Sequence, residues 1–317
     1  MDFSFVVDAG CTASQPAHLV SSSDDQAGIL LVGTCGSLES TWEKMALEID
    51  LMHALDIAQA AARHAGEILL AMRGTAKVHQ KSEKDLVTDA DFAAQKAICE
   101  ALFVAFPSHG FLGEEGSTGM SDAQGLNNAN SDCQWVVDPL DGTTNYAHGF
   151  PQYAVSIALT IRRLPVVGVV YDPESNEMFS AVQGHGAWLN DRPISASQQS
   201  ELSHALVAVG LAPNLSHDSI EIRNLVDMLL ECQALRRLGS AALNLCYVGC
   251  GRFDGFWAGS LKLWDIAAGV LIVREAGGVV SDLQGQDSHA LSGALIAAST
   301  RELQQRISAV LNCPKGD

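Results

Sequence analysis

Basic residues are scarce in this chain: 19 Lys and Arg stand against 37 Asp and Glu, a formal net charge of -18. A nucleic-acid backbone or an anionic membrane would be repelled, so neither is expected as the main partner. A negatively charged small molecule stays open, because bound cations reverse the local sign of a site. Long apolar runs are also missing, and none approaches the roughly 20 residues that span a bilayer. The N-terminal stretch M-D-F-S-F-V-V-D-A-G-C has no basic leader and carries acids where an apolar core should be, which argues against a secretory signal. Eight cysteines occur without a single C-x-x-C pair. Cys246 and Cys250 sit four apart in an apolar stretch and read as buried thiols on one helix face, not as metal ligands. A reduced, cytoplasmic protein is expected.

What is present is ordinary for a globular protein: 47% hydrophobic and 18% charged residues over 317 positions. That length supports one large core or two closely packed halves. Residues 1–44 read as a flexible, disordered N-terminal extension with a short apolar strand near 28–36. From Met45 to Arg73, Leu47, Leu51, Leu55, Ala58, Ala62, Ile68 and Leu69 recur near helical spacing before Gly74. Thr88-Asp89-Ala90-Asp91 opens a second helix with a capping-box pattern, and Pro107 closes it. Between them, Q-K-S-E-K-D at 80–85 reads as a polar loop.

Strand signals then cover 110–113, 134–138, 154–161, 166–171 and 178–182, with turn residues between several of them. That pattern predicts an antiparallel meander. After Pro193, strands at 206–210 and 234–238 alternate with helices at 220–230, 241–248 and 266–275. The expected organisation is 45–192, a helix pair on an antiparallel sheet, and 193–317, a smaller α/β half. No internal repeat is visible.

The chemistry concentrates in W-V-V-D-P-L-D-G-T-T-N-Y (135–146), where Asp138 and Asp141 stand three residues apart. D-P-x-D-G alone reads as a turn. A strand ending at Asp138, followed by a tight turn, would also aim two carboxylates and the Leu140 carbonyl into one small volume. Hard oxygen donors at this spacing suit magnesium. Without a cation, two ionised acids so close would push one pKa up. Gly142, Thr143 and Thr144 follow with backbone N–H groups that could receive an anion. Glu114 and Glu115 come directly after an apolar strand, and Asp265 starts an apolar helix, where alone it reads as an N-cap.

Taken together, L-V-T-D-A-D (86–91), G-E-E (113–115), W-V-V-D-P-L-D-G-T-T-N (135–145) and L-W-D-I-A-A-G (263–269) resemble the inositol monophosphatase family, from about Met45 to about Ala298. The resemblance implies a layered αβαβα sandwich, often dimeric, with two or three magnesium ions and sensitivity to lithium. It assigns Glu114, Asp138 and the Leu140 carbonyl to the cation that activates water, and Asp138, Asp141 and Asp265 to the cation on the leaving-group side. Thr143 would orient the attacking water, with Asp91 as its partner and proton acceptor. Glu114, Leu140, Asp141, Gly142, Thr143, Gly239, Ser240, Ala241 and Asp265 would contact substrate, and Lys81 would belong to a mobile loop. Glu115 would stand behind the ligands, and Asp89 matches no ligand position.

The implied activity is hydrolysis of a small sugar or polyol phosphate by direct water attack, inositol 1-phosphate first. Fructose 1,6-bisphosphate, histidinol phosphate and other sugar or nucleotide phosphates are alternatives. One position departs. Family members acting on inositol 1-phosphate carry a glutamate seven residues before the W-D aspartate, and here that position is Ala258. Losing an acceptor for a substrate hydroxyl shifts selectivity strongly. Ser260 or Lys262 would be partial substitutes, with Lys262 free to meet a second anionic group. A haloacid-dehalogenase-type phosphatase, with Asp138 as covalent nucleophile, is a rival, but its two acids are separated by one residue, not two. A non-catalytic role with the transcription machinery, known for bacterial relatives, is the rival of another class. Arg236 and Arg237 read as a solvated face.

Overall fold

The computed structural model describes residues 50–82, 84–116, 131–287 and 293–313. The expected extension 1–44, its apolar strand and the first turn of the first helix lie outside them. Helix α1 (Leu51–Met72) starts where Asp50 accepts a hydrogen bond from the His53 amide. It buries Ala54, Leu55, Ala58, Ala61, Ala62, Ala65 and Leu69 along one face. Such a stripe at helical period is what fixes a surface helix to a sheet.

The segment read as a polar loop is instead an antiparallel hairpin of β1 (Val78–Ser82) and β2 (Asp85–Thr88). Every residue of β1 is exposed, so it carries no apolar alternation that would announce a strand. Helix α2 (Asp89–Ala105) follows through the anticipated capping box, in which the Asp91 carboxylate accepts from the Thr88 amide at 2.8 Å.

Next come β3 (Gly110–Gly113), β4 (Cys133–Asp141), the short helix α3 (Thr143–Ala147), β5 (Ala154–Ile161), β6 (Leu164–Asp172), β7 (Glu177–Val182), β8 (Gly186–Leu189) and β9 (Arg192–Pro193). The strands form one seven-stranded sheet in chain order. β3 pairs parallel to β4 and the rest form the expected antiparallel meander. The second half supplies β10 (Leu206–Gly210), α4 (Ile220–Glu231), β11 (Ala234–Arg236), α5 (Ala241–Gly249), β12 (Gly255–Ala258), α6 (Leu263–Glu275), β13 (Val279–Ser281), β14 (Leu295–Ala298) and α7 (Arg301–Leu311). Its five strands run in the order β11-β10-β12-β14-β13, with β10 parallel to both β11 and β12.

Four apolar clusters hold five layers together. α1 and α2 pack on one face of the large sheet, and α5 and α6 cover its other face through Leu243, Cys246, Ala268 and Leu271. The same two helices meet the small sheet through Leu245, Val248 and Ile266, and α4 and α7 close its far side through Met228, Leu303 and Ile307. The architecture is therefore the αβαβα sandwich. β5, A-V-S-I-A-L-T-I, is buried at every residue because helices lie on both faces of its sheet.

Trp188 on β8 is half-buried. Glu275 accepts from the Gly184 and Gly186 amides, both at 2.9 Å, and so ties a loop to α6. Among the described residues, no helix is long and apolar enough to cross a membrane.

Candidate active site

The strand holding the two aspartates does not end at Asp138. β4 runs on to Asp141, and its register against β5 slips between them: Asp138 faces Ser156, whereas Asp141 faces Ala154. Three steps on β4 match two on β5, which is a bulge. Side chains alternate along a strand, so residues three apart should point to opposite faces. The extra residue removes that half-period, and Asp138 and Asp141 line the same cleft. Pro139, which has no amide hydrogen for the ladder, occupies the position where none is needed.

Gly142 then turns the chain at φ 100°, and a Cβ there would come within 2.9 Å of the Gln152 carbonyl. Both the left-handed backbone and this contact require glycine. Gly142→Ala is expected to destabilise the protein by about 1–3 kcal/mol and to weaken magnesium-dependent activity, checked by thermal unfolding and phosphate release on the same samples. An unshifted melting temperature would contradict this reading of the turn.

The cleft has a volume of about 410 Å³ and gathers acids from four elements. Glu114 follows β3, Asp138 and Asp141 sit on β4, and Asp265 sits in the first turn of α6. Leu140, Gly142, Thr143, Gly239, Ser240 and Ala241 line it too. Asp91 does not. It lies fully buried behind Thr143, whose hydroxyl is 3.1 Å from Asp91 Oδ1 and 3.0 Å from the Leu140 carbonyl. Its other oxygen accepts from the Thr88 amide and hydroxyl.

Burial dominates the electrostatics. Asp138 is 2% exposed, and burial followed by the charges of Glu114, Asp141 and Asp265 holds its pKa well above the usual carboxylate range. Asp141 is pushed up to about 6 by burial, although it accepts from Ser240 Oγ (2.6 Å) and the Ala242 amide (2.7 Å) at the start of α5. Asp265 is pushed up to about 7, by burial and then by Asp141. It is the third residue of α6, not its N-cap, and accepts from the Lys262 amide at 2.8 Å. Asp91 is also raised, by burial.

Lys81 sits on β1 rather than in a loop, and its ammonium lies 3.0 Å from Glu114 and 2.7 Å from Glu115. Burial pulls the Lys81 pKa down, but the two carboxylates outweigh it and keep the ammonium charged. Glu115 is further steadied by Gln95, which accepts from its amide at 3.0 Å.

The donor set fits a hard divalent cation: carboxylates and a carbonyl, all oxygen, with a repulsion that a cation would relieve. The acids are not closed around one point. Among the described residues no three His, Cys, Asp or Glu side chains converge tightly enough to enclose an ion. Glu114 is drawn to Lys81, and Asp141 and Asp265 each cap a helix.

Other residues resolve more simply. Asp89 faces away and pairs with His79 at 2.7 Å. Tyr146 is buried, donating to the Leu69 carbonyl, whereas His148 is exposed. Cys246 is fully buried and Cys250 partly so. Ala258 is buried on β12 opposite Gly210. Neither Ser260 nor Lys262 lines the cleft; among the described residues the cations that do are Lys84 and Arg237. Arg237, half of an adjacent basic pair, reads from the sequence as solvated surface. Its place two residues before Gly239 was the available signal.

Comparison with known proteins agrees with this geometry. A model of the inositol monophosphatase family matches residues 50–314, a span that extends through α7. Nus factor SuhB of Pasteurella multocida is 40% identical over 263 residues, covering 82% of this chain and 96% of that protein. Inositol monophosphatase 1 of Solanum lycopersicum is 40% identical over 265 residues, covering 82% and 95%. The crystal structure of extragenic suppressor protein suhB from Bartonella henselae matches with a TM-score of 0.75 at 36% identity, covering 83% of this chain and all of that one. The bulged strand, the acid-lined cleft and these matches lead to one conclusion: the chain belongs to the inositol monophosphatase family and is a phosphoric monoester hydrolase.

Proposed function

We propose that this enzyme is a magnesium-dependent phosphatase for a small sugar or polyol phosphate, with inositol 1-phosphate as the reference substrate. The family is metal-dependent. Supporting the reading is one observation above others: the bulge in β4 puts Asp138 and Asp141 on one side of the strand, in the cleft that Glu114 and Asp265 also line. Glu114, Asp138, Asp141, Asp265 and the Leu140 carbonyl would hold two or three ions. Bound magnesium supplies Lewis-acid charge that activates water and neutralises the leaving oxygen.

The chain's own residues do the rest. Thr143 Oγ, held between Asp91 and the Leu140 carbonyl, orients the attacking water, and buried Asp91 accepts its proton through that hydroxyl. The raised pKa of Asp91 suits a proton acceptor better than an ordinary carboxylate would. Gly142 and Thr143 steady the phosphoryl oxygens. Gly239, Ser240 and Ala241 border the organic part. Lys81 holds the Glu114 carboxylate in place through a 3.0 Å ion pair. A homodimer, lithium inhibition and a cytoplasmic location belong to the same reading.

Phosphate release from inositol 1-phosphate, fructose 1,6-bisphosphate, histidinol phosphate, glycerol 2-phosphate and a nucleoside monophosphate tests it, with magnesium, with chelator and with lithium. Turnover requiring magnesium is expected, and equal turnover in chelator would overturn the proposal. A phosphoaspartyl group trapped on Asp138 by acid quench would favour the covalent route instead.

A second reading rests on the relatives named Nus factor SuhB, here a role beside the transcription machinery. Asp138→Asn separates the two. A variant that loses hydrolysis yet keeps its cellular role would favour the binding role.

A further inference from the structure

The acids occupy one part of the cleft, and its remaining lining is of another kind. Val209, Leu211, Pro213 and Leu261 give it an apolar wall, and the side chains of Lys84 and Arg237 reach its edge from different elements. Lys84 comes from the turn between β1 and β2, and Arg237 from the segment that joins β11 to the Gly239–Ala241 border. Neither side chain has a hydrogen bond or ion pair among the described residues, and both are exposed.

The chain carries nearly twice as many acids as bases, so an unpaired cation has many potential partners. Lys81, on the same hairpin as Lys84, is taken up by Glu114 and Glu115, and Arg252 is taken up by Glu177. Among the described residues Asp85 is the one acid lining the cleft besides Glu114, Asp138, Asp141 and Asp265, and it makes no ion pair with either cation. A cleft of about 410 Å³ also exceeds what a phosphoryl group alone would fill, and lies in the range of roughly 300–1,000 Å³ that encloses a small organic ligand.

We propose that Lys84 and Arg237 read a second anionic group on the substrate, so that the preferred ester carries a phosphate or carboxylate besides the phosphoryl group being cleaved. The proposal rests on the phosphatase reading above and deepens it. The scissile phosphate goes to the acid pole with its cations, and the second anion goes to the basic edge. Arg237 offers a forked pair of donors suited to either oxyanion, and Lys84 offers a point charge. Substrates lacking the second anion leave both cations hydrated and gain nothing from them. Ala258, paired with the cleft-lining Gly210, carries no carboxylate that would repel such a group.

Matched pairs test the proposal: glycerol 2-phosphate against 2-phosphoglycerate for a carboxylate, and fructose 6-phosphate against fructose 1,6-bisphosphate for a phosphate. In wild-type enzyme with magnesium, KM for the doubly anionic member should be lower by roughly tenfold in at least one pair, the scale of a charge-assisted contact at a solvated edge. Added salt should shrink that preference, since exposed charges are screened at about 10 Å in 0.1 M salt. Arg237→Gln and Lys84→Gln should each reduce the preference several-fold, chiefly through KM, whereas Arg236→Gln, outside the cleft, should leave the ratio as it is.

The same pairs titrated calorimetrically into the Asp91→Asn enzyme with magnesium read binding without turnover. Preference for the second anion there, together with no hydrolysis in wild type, would count against the phosphatase reading and for this one. Equal KM within both pairs, or a preference untouched in Arg237→Gln and Lys84→Gln, would overturn the assignment.

Discussion

Asp138→Asn is expected to lower phosphate release by about 10³-fold or more while raising the melting temperature of the metal-free protein. The two effects have one cause. Asp138 is almost fully buried and shares its surroundings with Glu114, Asp141 and Asp265, so its charge is costly when nothing positive is present. An amide keeps the shape and the bond from the Leu140 amide must re-form on a carbonyl oxygen, but the repulsion disappears. The same change removes the donor shared by both proposed cation positions. Losing about 4 kcal/mol of transition-state stabilisation corresponds to the thousandfold loss. Measuring kcat with magnesium and thermal unfolding in chelator on one preparation checks both. A variant that loses activity and stability together would mean that Asp138 is a structural acid.

The second large effect is in the pH dependence of stability. The unfolded chain releases aspartate protons near pH 4, whereas the folded chain holds those of Asp141 to about 6 and Asp265 to about 7. Between these limits the folded state binds more protons, so metal-free stability falls as pH rises through about 4 to 7. Asp141 alone, at about two pKa units, corresponds to roughly 3 kcal/mol. About one of those units falls between pH 5 and pH 8, roughly 1.4 kcal/mol, which for a chain of this size is a melting temperature on the order of 3–6 °C higher at pH 5 than at pH 8 in chelator. Magnesium competes with those protons, so its stabilising effect should grow from pH 5 to pH 8 and offset the loss. Thermal unfolding at both pH values, with and without magnesium, gives the four numbers needed. A magnesium shift of the same size at pH 5 and pH 8 would show that these carboxylates do not receive the ion.

Much of this arrangement was readable before any coordinates. The apolar period of α1, the Thr88–Asp91 box and the buried runs of β5 and β6 depend on neighbours in sequence, and each is found where expected. The four acidic segments were recognisable as one set through the family resemblance that their motifs carry together. What escaped depends on distant parts of the chain. The bulge between Asp138 and Asp141 is a property of β4 against β5, and V-W-type alternation in one strand cannot reveal a slip in its pairing. The β1 strand of the first hairpin is exposed at every residue and so carries no alternation that would mark it. β12 and β14 are only four residues each, too short for a period to register. Arg237 becomes a cleft residue only because β10 and β11 lie side by side, which brings the segments after both strands to one edge of the sheet.

Asp265 shows the same division. Its place at the start of α6 was legible, yet its side chain caps the Lys262 amide from the third helical position. Capping and ligation then compete for one carboxylate, as they do for Asp141 at α5. Helix N-termini favour negative charge, and this holds both acids in place before a cation arrives. Lys81 does the same for Glu114 from the opposite side, as an ammonium already in the space between two carboxylates.

Manganese soaked into crystals gives the most direct test, because it takes the same oxygen donors and is visible by anomalous scattering. The account expects anomalous peaks in the cleft with carboxylate oxygens of Asp138, Asp141, Glu114 and Asp265 within about 2.0–2.3 Å, and Lys81 drawn back from Glu114. Peaks elsewhere with this cleft still held by Lys81 and its helix caps, or none at all at millimolar manganese, would contradict it.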